Sequence, residues 1–272
     1  MSQRLIYDRF MHELWRESIQ LNRETISPCQ PLQHLISNYF VLQQEGQCPT
    51  SAQWYILPDS SAHLIFYLFE KGNTVSAKWA VVGPRSRHKM ISRQNRLFTF
   101  ICSFRPGGMA PFVKPPLSEL TDSSSEASYI LKAYDESAYE ALTRYALQHD
   151  LSGFVGRLET FLLRASESAT IIHPVVSAFY NSYSDHPNKP QLDVAAKKLG
   201  YSDRHLRSLL RMHVGHSPKM ITQIDRFTSS LLQNNHQQNW ASIAHASGYY
   251  DQSHMISDYH KLVGTSPEKL FS

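Results

Sequence analysis

Ala196-Lys197-Lys198-Leu199-Gly200-Tyr201 and Ala244-His245-Ala246-Ser247-Gly248-Tyr249 are one pattern written twice, at an offset of 48 residues. A second pair follows, Val214-Gly215-His216-Ser217-Pro218 and Val263-Gly264-Thr265-Ser266-Pro267, at an offset of 49. One extra residue therefore lies in the second copy, between Gly248 and the helix that follows it. Self-similarity at a fixed period marks a repeated supersecondary unit. Each copy has the grammar of a helix-turn-helix: a short helix with Ala four residues before Gly, a tight turn, and a second helix behind a capping side chain. The alanine lets the helices approach, the glycine spares the turn a Cβ clash, and Ser202 and Asp251 are the expected caps.

On a wheel of about 100° per residue, Leu206, Leu209 and Leu210 gather on one side of the first copy's second helix, and Arg204, Arg207, Ser208 and Arg211 on the other. On an isolated helix such arginines are an ordinary solvated face. On the exposed helix of a duplicated helix-turn-helix they occupy the element that a DNA major groove accepts. Between the copies, Ser217 as cap and Pro218 as first residue open a helix to about Asn234, with Ile221, Ile224, Phe227, Leu231 and Leu232 on its apolar side. Its seventeen residues, at about 1.5 Å each, span roughly 26 Å. A strut of that length can hold two recognition helices near the roughly 34 Å that separates successive major grooves on one face of DNA.

With these motifs in place, residues from about 171 to 272 resemble the DNA-binding domain of AraC/XylS-type bacterial transcription regulators. The residues that carry the resemblance are Val194-Ala195-Ala196, Leu199-Gly200-Tyr201-Ser202, Leu206, Val214-Gly215 with Ser217-Pro218, Ile243-Ala244, Gly248-Tyr249, Asp251-Gln252-Ser253-His254, and Val263-Gly264 with Ser266-Pro267. The resemblance implies base contacts from Arg204, Arg207 and Ser208 in the first motif and from Gln252, Ser253, His254 and Ser257 in the second. The family commonly has Arg where this chain has Ser257, an aromatic where it has Leu210, and a basic residue where it has His260. At the 49-residue offset, Arg204, Arg207, Ser208 and Arg211 align with Ser253, Ile256, Ser257 and His260, so only the first face carries fixed positive charge. The first motif is expected to dominate, with Arg211 on a phosphate.

The preceding half has a different texture. Tyr39-Phe40-Val41-Leu42, Trp54-Tyr55-Ile56-Leu57, Leu64 to Phe69, Ala80-Val81-Val82 and Leu97 to Phe104 are short apolar or aromatic runs, separated by turn formers such as Pro58-Asp59-Ser60-Ser61, Lys71-Gly72-Asn73 and Gly83-Pro84. They read as strands, and their aromatic content predicts a half-open barrel able to enclose a small ligand. Glu136–His149 and Phe154–Ala165 have helical spacing, and Ser166 to Thr170 suits a linker. This stretch is similar to a little-characterised sensor-like domain found ahead of such DNA-binding units. Ile56-Leu57-Pro58-Asp59, His63-Leu64-Ile65-Phe66, Val82-Gly83-Pro84, Ser103-Phe104-Arg105-Pro106-Gly107-Gly108 and Leu117-Ser118-Glu119-Leu120-Thr121-Asp122 carry that likeness, with Ser60 and His63 where a Gly and an acidic residue are expected.

The expected fold is therefore α+β: a β-rich N-terminal domain with trailing helices, residues 1–168, followed by an all-α domain, residues 169–272, with two helix-turn-helix motifs joined by a long helix. A chain of 272 residues with 42% hydrophobic and 18% charged residues has the length of two domains and the composition of globular ones. No apolar run approaches the roughly 18 residues of a membrane helix, and Met1-Ser2-Gln3-Arg4 opens without a signal-peptide stretch, which predicts a cytoplasmic, nucleoid-associated protein. Cys29, Cys48 and Cys102 are widely spaced and form neither a disulfide framework nor a zinc motif, and His205, His213 and His216 lack completing ligands. No cofactor, metal or catalytic residue is expected.

The net charge is +4, and Lys71 to Ser118 holds nine Lys or Arg and no acid, followed by nine acids against four bases in Glu119 to Glu167. The basic block can pair internally, take an anionic effector or face DNA. The expected function is sequence-specific binding of double-stranded operator or promoter DNA, modulated by the first domain through a small-molecule or protein effector, with a homodimer or RNA polymerase as further partners. The alternatives are a protein-interaction module or a small-molecule enzyme fused to a DNA-targeting unit.

Overall fold

The computed structural model describes residues 21–44, 53–92, 96–167, 172–174, 176–177, 179–180, 196–197, 199–234 and 239–271. Its N-terminal half is built on an antiparallel sheet of six strands. These are β1 (Leu21–Ile26), β2 (Ile36–Gln44), β4 (His63–Lys71), β5 (Thr74–Val82), β7 (Arg96–Phe104) and β8 (Ser124–Glu126), in the spatial order β1-β2-β7-β4-β5-β8. A separate ribbon pairs β3 (Gln53–Ile56) with β6 (Lys89–Ser92). Four helices complete this half: the single turns α1 (Leu117–Leu120) and α2 (Ala127–Ile130), then α3 (Glu136–Leu147) and α4 (Leu151–Glu167).

The sheet's two faces follow from the period of two along each strand. Leu64, Phe66 and Leu68 on β4, Phe98, Phe100, Cys102 and Phe104 on β7, and Tyr39 and Val41 on β2 belong to one core. The register sets Phe66 beside Phe100 on one side and Trp79 on the other. Against this face lies α4, whose Phe154, Leu158, Phe161 and Leu162 are buried at helical spacing. The Phe154 ring sits 4.7 Å from Phe100, 5.2 Å from Phe66 and 5.4 Å from Phe98, and Phe161 sits 5.0 Å from Trp79. Where the sequence predicts a half-open barrel around a ligand, the structure has an open sheet with β1 and β8 at its edges and a helix packed on its aromatic face.

Two polar stitches cross this core. The Glu159 carboxylate of α4 accepts from the Cys29 amide at 2.7 Å and the Tyr39 hydroxyl at 3.2 Å. Burial raises the pKa of both the Tyr39 phenol and the Cys102 thiol. Between β4 and β7, His63 Nδ1 lies 3.0 Å from Ser103 Oγ and its Nε2 lies 3.2 Å from Asp59 Oδ2. Burial opposes the Asp59 charge, but bonds from His63 and Ser61 outweigh it and hold the carboxyl below its ordinary range. His63 and Ser60, the two departures from the sensor-like pattern, are both buried here.

The C-terminal half is helical: α5 (Asp203–Val214), α6 (Pro218–Gln233), α7 (Trp240–Ala246), α8 (Gln252–Val263) and the single turn α9 (Pro267–Leu270). Its second core gathers Ile224, Phe227 and Leu231 of α6 with Ile243, Tyr249, Met255, Tyr259, Leu262 and Val263. The apolar face of α5 goes elsewhere. Leu206, Leu209, Leu210 and Val214, with Ile221 at the start of α6, join the N-terminal core, where α5 packs against α1 and its Leu117 and Leu120.

Several boundaries differ from expectation. Strands β1, β6 and β8 were not legible because their sequences, such as Leu-Asn-Arg-Glu-Thr-Ile and Ser-Ser-Glu, are largely polar and pair by backbone at edges or in the ribbon. The expected linker begins inside α4, which runs to Glu167 and takes Ser166 into the helix, its hydroxyl donating to the Leu163 carbonyl at 2.7 Å. Residues 168–170 of that linker, the expected boundary between 168 and 169, the first helix of motif one around Val194-Ala195, and Cys48 lie outside the described residues.

Because Phe154 meets three aromatic rings of the sheet, Phe154→Ala is expected to destabilise the N-terminal half by about 3–5 kcal/mol. Urea denaturation followed by intrinsic fluorescence checks this, with a change under about 1 kcal/mol counting against the packing described.

Candidate nucleic-acid interface

Helices α5 and α8, the two expected to recognise DNA, are cut to the same pattern by their end residues. Ser202 Oγ accepts from the His205 amide at 3.2 Å to begin α5, and Asp251 Oδ1 accepts from the His254 amide at 2.7 Å to begin α8. Each ends on a left-handed glycine, Gly215 at φ 86° and Gly264 at φ 78°. The strut is α6, capped by Ser217 onto the Met220 amide at 3.3 Å with Pro218 as first residue. At 16 residues it is about 24 Å long, one residue shorter than the sequence implies.

On α5 the side chains of Arg204, Arg207, Ser208 and Arg211 are all exposed. They border a cleft of about 560 Å³ whose far wall is Pro116 and Ser118, at the start of α1. Arg207 Nε donates to Asp203 Oδ2 at 2.9 Å, one turn earlier. The pair is half in solvent and adds little stability, but it fixes the guanidinium while leaving both terminal nitrogens for an acceptor such as a guanine edge.

The second face is built differently. Ser253 and Ser257 are exposed, whereas Gln252 and His254 are half-buried. The His254 ring stands edge-on to Tyr249 at 5.3 Å, and its Nε2 is 3.9 Å from Asp258 Oδ2. Asp258 is a residue that the sequence reading missed. Buried in α8, it accepts from Gln223 Nε2 at 2.8 Å and Arg226 Nη2 at 3.2 Å, both on the strut. Arg226 in turn lies 5.1 Å from the Tyr249 ring. These contacts fix α8 on α6, so the position of α8 depends on a buried ion pair. The only signal in the sequence is an acid among the apolar positions of an amphipathic helix.

The N-terminal half touches the C-terminal ends of both α5 and α8. Thr121 Oγ1 donates to the Gly215 carbonyl at 3.0 Å. The His88 amide donates to the Leu262 carbonyl at 2.7 Å, with His88 Nδ1 at 3.3 Å from the same oxygen. The Pro84–His88 stretch that reaches α8 is held by Asp122, which accepts from the Ser86 amide and hydroxyl. A Cβ on Gly215 would meet Thr121, the Leu117 carbonyl and Pro84 at 2.9–3.0 Å, so this left-handed residue also permits a close approach. The next residue, His216, is buried beside the Asp59–Arg85 bridge.

Burial lowers the pKa of His216 below 6.5, more strongly than the neighbouring Asp59 and Arg85 backbone groups and the Asp122 and Asp59 carboxylates raise it. His213 shifts the same way, by burial and then by His173 and Lys132. The His173 and His213 rings are 5.5 Å apart, and His205 stacks on Tyr201 at 5.0 Å. Among the described residues no group of three His, Cys, Asp or Glu is placed to hold a metal ion.

Residues 195–272 match the family described as a helix-turn-helix domain, and residues 24–126 match the family described as a domain of unknown function, DUF6597. Residues 195–272 are thus a helix-turn-helix domain at the C-terminal end of this chain. Comparison with curated protein sequences finds no match. Among solved structures, an apo variant of ToxT from Vibrio cholerae is similar over 93% of this chain and 97% of its own, at 10% identity and a TM-score of 0.42. ToxT from the same organism with bound unsaturated fatty acid covers 94% and 95% at 11% identity and 0.42. A third ToxT structure from Vibrio cholerae covers 94% and 98% at 12% identity and a TM-score of 0.38.

A helix-turn-helix domain supports a DNA-binding transcription regulator. Among the described residues, no helix is long and apolar enough to cross a membrane.

Two outcomes are expected. First, Arg204→Ala and Arg207→Ala each cost about 1–3 kcal/mol on operator DNA, the range of a good base contact, while Ser257→Ala costs little. Arg211→Ala weakens operator and scrambled duplex alike and flattens the salt dependence. Titrations at two salt concentrations read both, and losses at Ser257 equal to those at the arginines would remove the asymmetry. Second, burial holds His216 and His213 below their ordinary pKa in the folded chain, so just below about pH 6.5 the unfolded chain binds more protons than the folded one. Stability should fall as the pH is lowered from that value towards the depressed folded pKa. His216→Ala should reduce the slope, and an identical slope in that variant would exclude His216 as a contributor.

Proposed function

We propose that the chain reads operator DNA with both helix-turn-helix motifs, that Arg204, Arg207 and Ser208 supply most of the base recognition with Arg211 on a phosphate, and that Gln252, Ser253, His254 and Ser257 add a weaker second contact. The observation that carries this reading is the duplicated frame. Two helices of twelve residues each run from a side-chain cap to a left-handed glycine, with polar side chains exposed between. Affinity comes largely from cations on phosphates, and specificity from side chains on base edges. The place of action is the cytoplasm, at the nucleoid, and the division between the halves falls near residue 168.

The N-terminal half is the modulator in this proposal. Its support is the pair of bonds from Thr121 and His88 to the C-terminal carbonyls of α5 and α8, together with the core that α5 shares with Leu117 and Leu120. Any movement of the 84–88 stretch relative to Thr121 alters how the two recognition helices are held, which is a coupling between sites in the thermodynamic sense. Packing of Phe154 and Phe161 onto the aromatic sheet face favours a protein partner or a second copy over an enclosed small molecule as the input. The enzyme alternative has less support: Ser103, His63 and Asp59 are hydrogen-bonded in series, but Ser103 and His63 are buried.

Operator DNA can be selected from a random duplex pool with the full chain. Thr121→Val together with His88→Ala is then expected to change operator affinity by about fivefold or more, with a smaller effect on scrambled duplex. Affinity within twofold of the parent would remove the modulating role, and failure of the full chain to enrich any sequence would remove the DNA-reading role.

A further inference from the structure

The extra residue of the second motif is Tyr250. Gly200 and Tyr201 align with Gly248 and Tyr249 at an offset of 48, whereas the caps Ser202 and Asp251 align at 49, so Tyr250 has no counterpart in the first motif. The tyrosines that do correspond both turn inward. Tyr201 packs against the first core, and Tyr249 is buried in the second beneath Arg226. Tyr250 is 90% exposed, immediately before the Asp251 cap of α8.

That position is where a helix-turn-helix crosses from its first helix to its recognition helix. The N-terminal residues of the recognition helix enter the major groove, and the segment ahead of them meets the phosphate wall. Tyrosine hydroxyls are among the side-chain donors that phosphates use to set register and orientation. The second motif needs such a contact more than the first does. Its outward positions Ser253, Ser257 and His260 carry no permanent charge, and His254 is partly occupied by Tyr249 and Asp258.

We infer that Tyr250 anchors the second motif on DNA, its hydroxyl donating to a phosphate oxygen beside the groove that receives α8. The inference rests on the DNA-reading function above. A neutral donor contributes affinity without releasing a counterion, so its loss lowers binding at every salt concentration by one factor, whereas the loss of an arginine on phosphate changes the salt slope.

The test uses the full chain with selected operator duplex and a scrambled duplex of equal length, titrated at three salt concentrations. Tyr250→Ala and Tyr250→Phe are each expected to lose about three- to tenfold in affinity, the size of one hydrogen bond, on both duplexes and with the parent salt slope. Phosphate-ethylation interference should lose one site on the second motif's side. Retention of parent affinity by Tyr250→Phe overturns the hydroxyl contact. A flattened slope in Tyr250→Ala also overturns it, since the variant would then be acting through displaced cations. Tyr250 variants at parent affinity beside a weakened Arg204→Ala reject the anchor alone, whereas no DNA binding by the parent chain rejects the DNA-reading function and the anchor with it.

Discussion

Helix α5 buries its apolar side in a core that it does not own. Leu206, Leu209, Leu210 and Val214 pack with Leu117 and Leu120 of α1, and that cluster runs without a break into the aromatic face of the sheet. Apolar burial of this kind contributes about 1.5–3 kcal/mol per large side chain, so the docking of α5 is tied to the stability of the half that precedes it. The arginines on its other face are consequently presented from a position set by the sheet, through α1.

Helix α8 is held by other means. Its own core with α6 and α7 is self-contained, and the buried Asp258 fixes it to Gln223 and Arg226 of the strut. A buried carboxylate that loses its partners is costly, whereas the intact pair contributes little net stability over an apolar substitute. Asp258 therefore serves orientation. It sets α8 relative to α6, and Ile221 at the start of α6 lies in the first core, so the strut joins one motif docked on the sheet to another that stands on its own packing.

Between these two arrangements, Thr121 and His88 reach the last carbonyls of α5 and α8. Helix C-termini leave carbonyls without intrahelical partners, and here the N-terminal half satisfies one at the end of α5 and one at the end of α8. Gly215 is central to this because it is at once the left-handed end of α5 and the point of closest approach to Thr121 and Pro84. One glycine serves the helix cap and the junction between the halves.

The sequence by itself determined whatever is local. The repeated Ala-x-x-x-Gly-Tyr pattern, the caps Ser202, Ser217 and Asp251, Pro218 at the head of the strut, and the side of α5 that carries arginine all depend on neighbours within a few residues, where backbone sterics and hydrogen bonding act directly. Short apolar or aromatic runs likewise marked β2, β3, β4, β5 and β7. Tertiary structure decided what depends on distant partners: polar edge strands such as β1 and β8, whose order comes from backbone pairing, and α4 lying on the aromatic face where an enclosed ligand was expected. It also decided the assignment of α5 to the N-terminal core, the burial of Asp258 against the strut, and the reach of Thr121 and His88 to the recognition helices. A hydrophobic stripe states that a face will be buried, but the complementary surface that covers it is specified by shape across the whole fold.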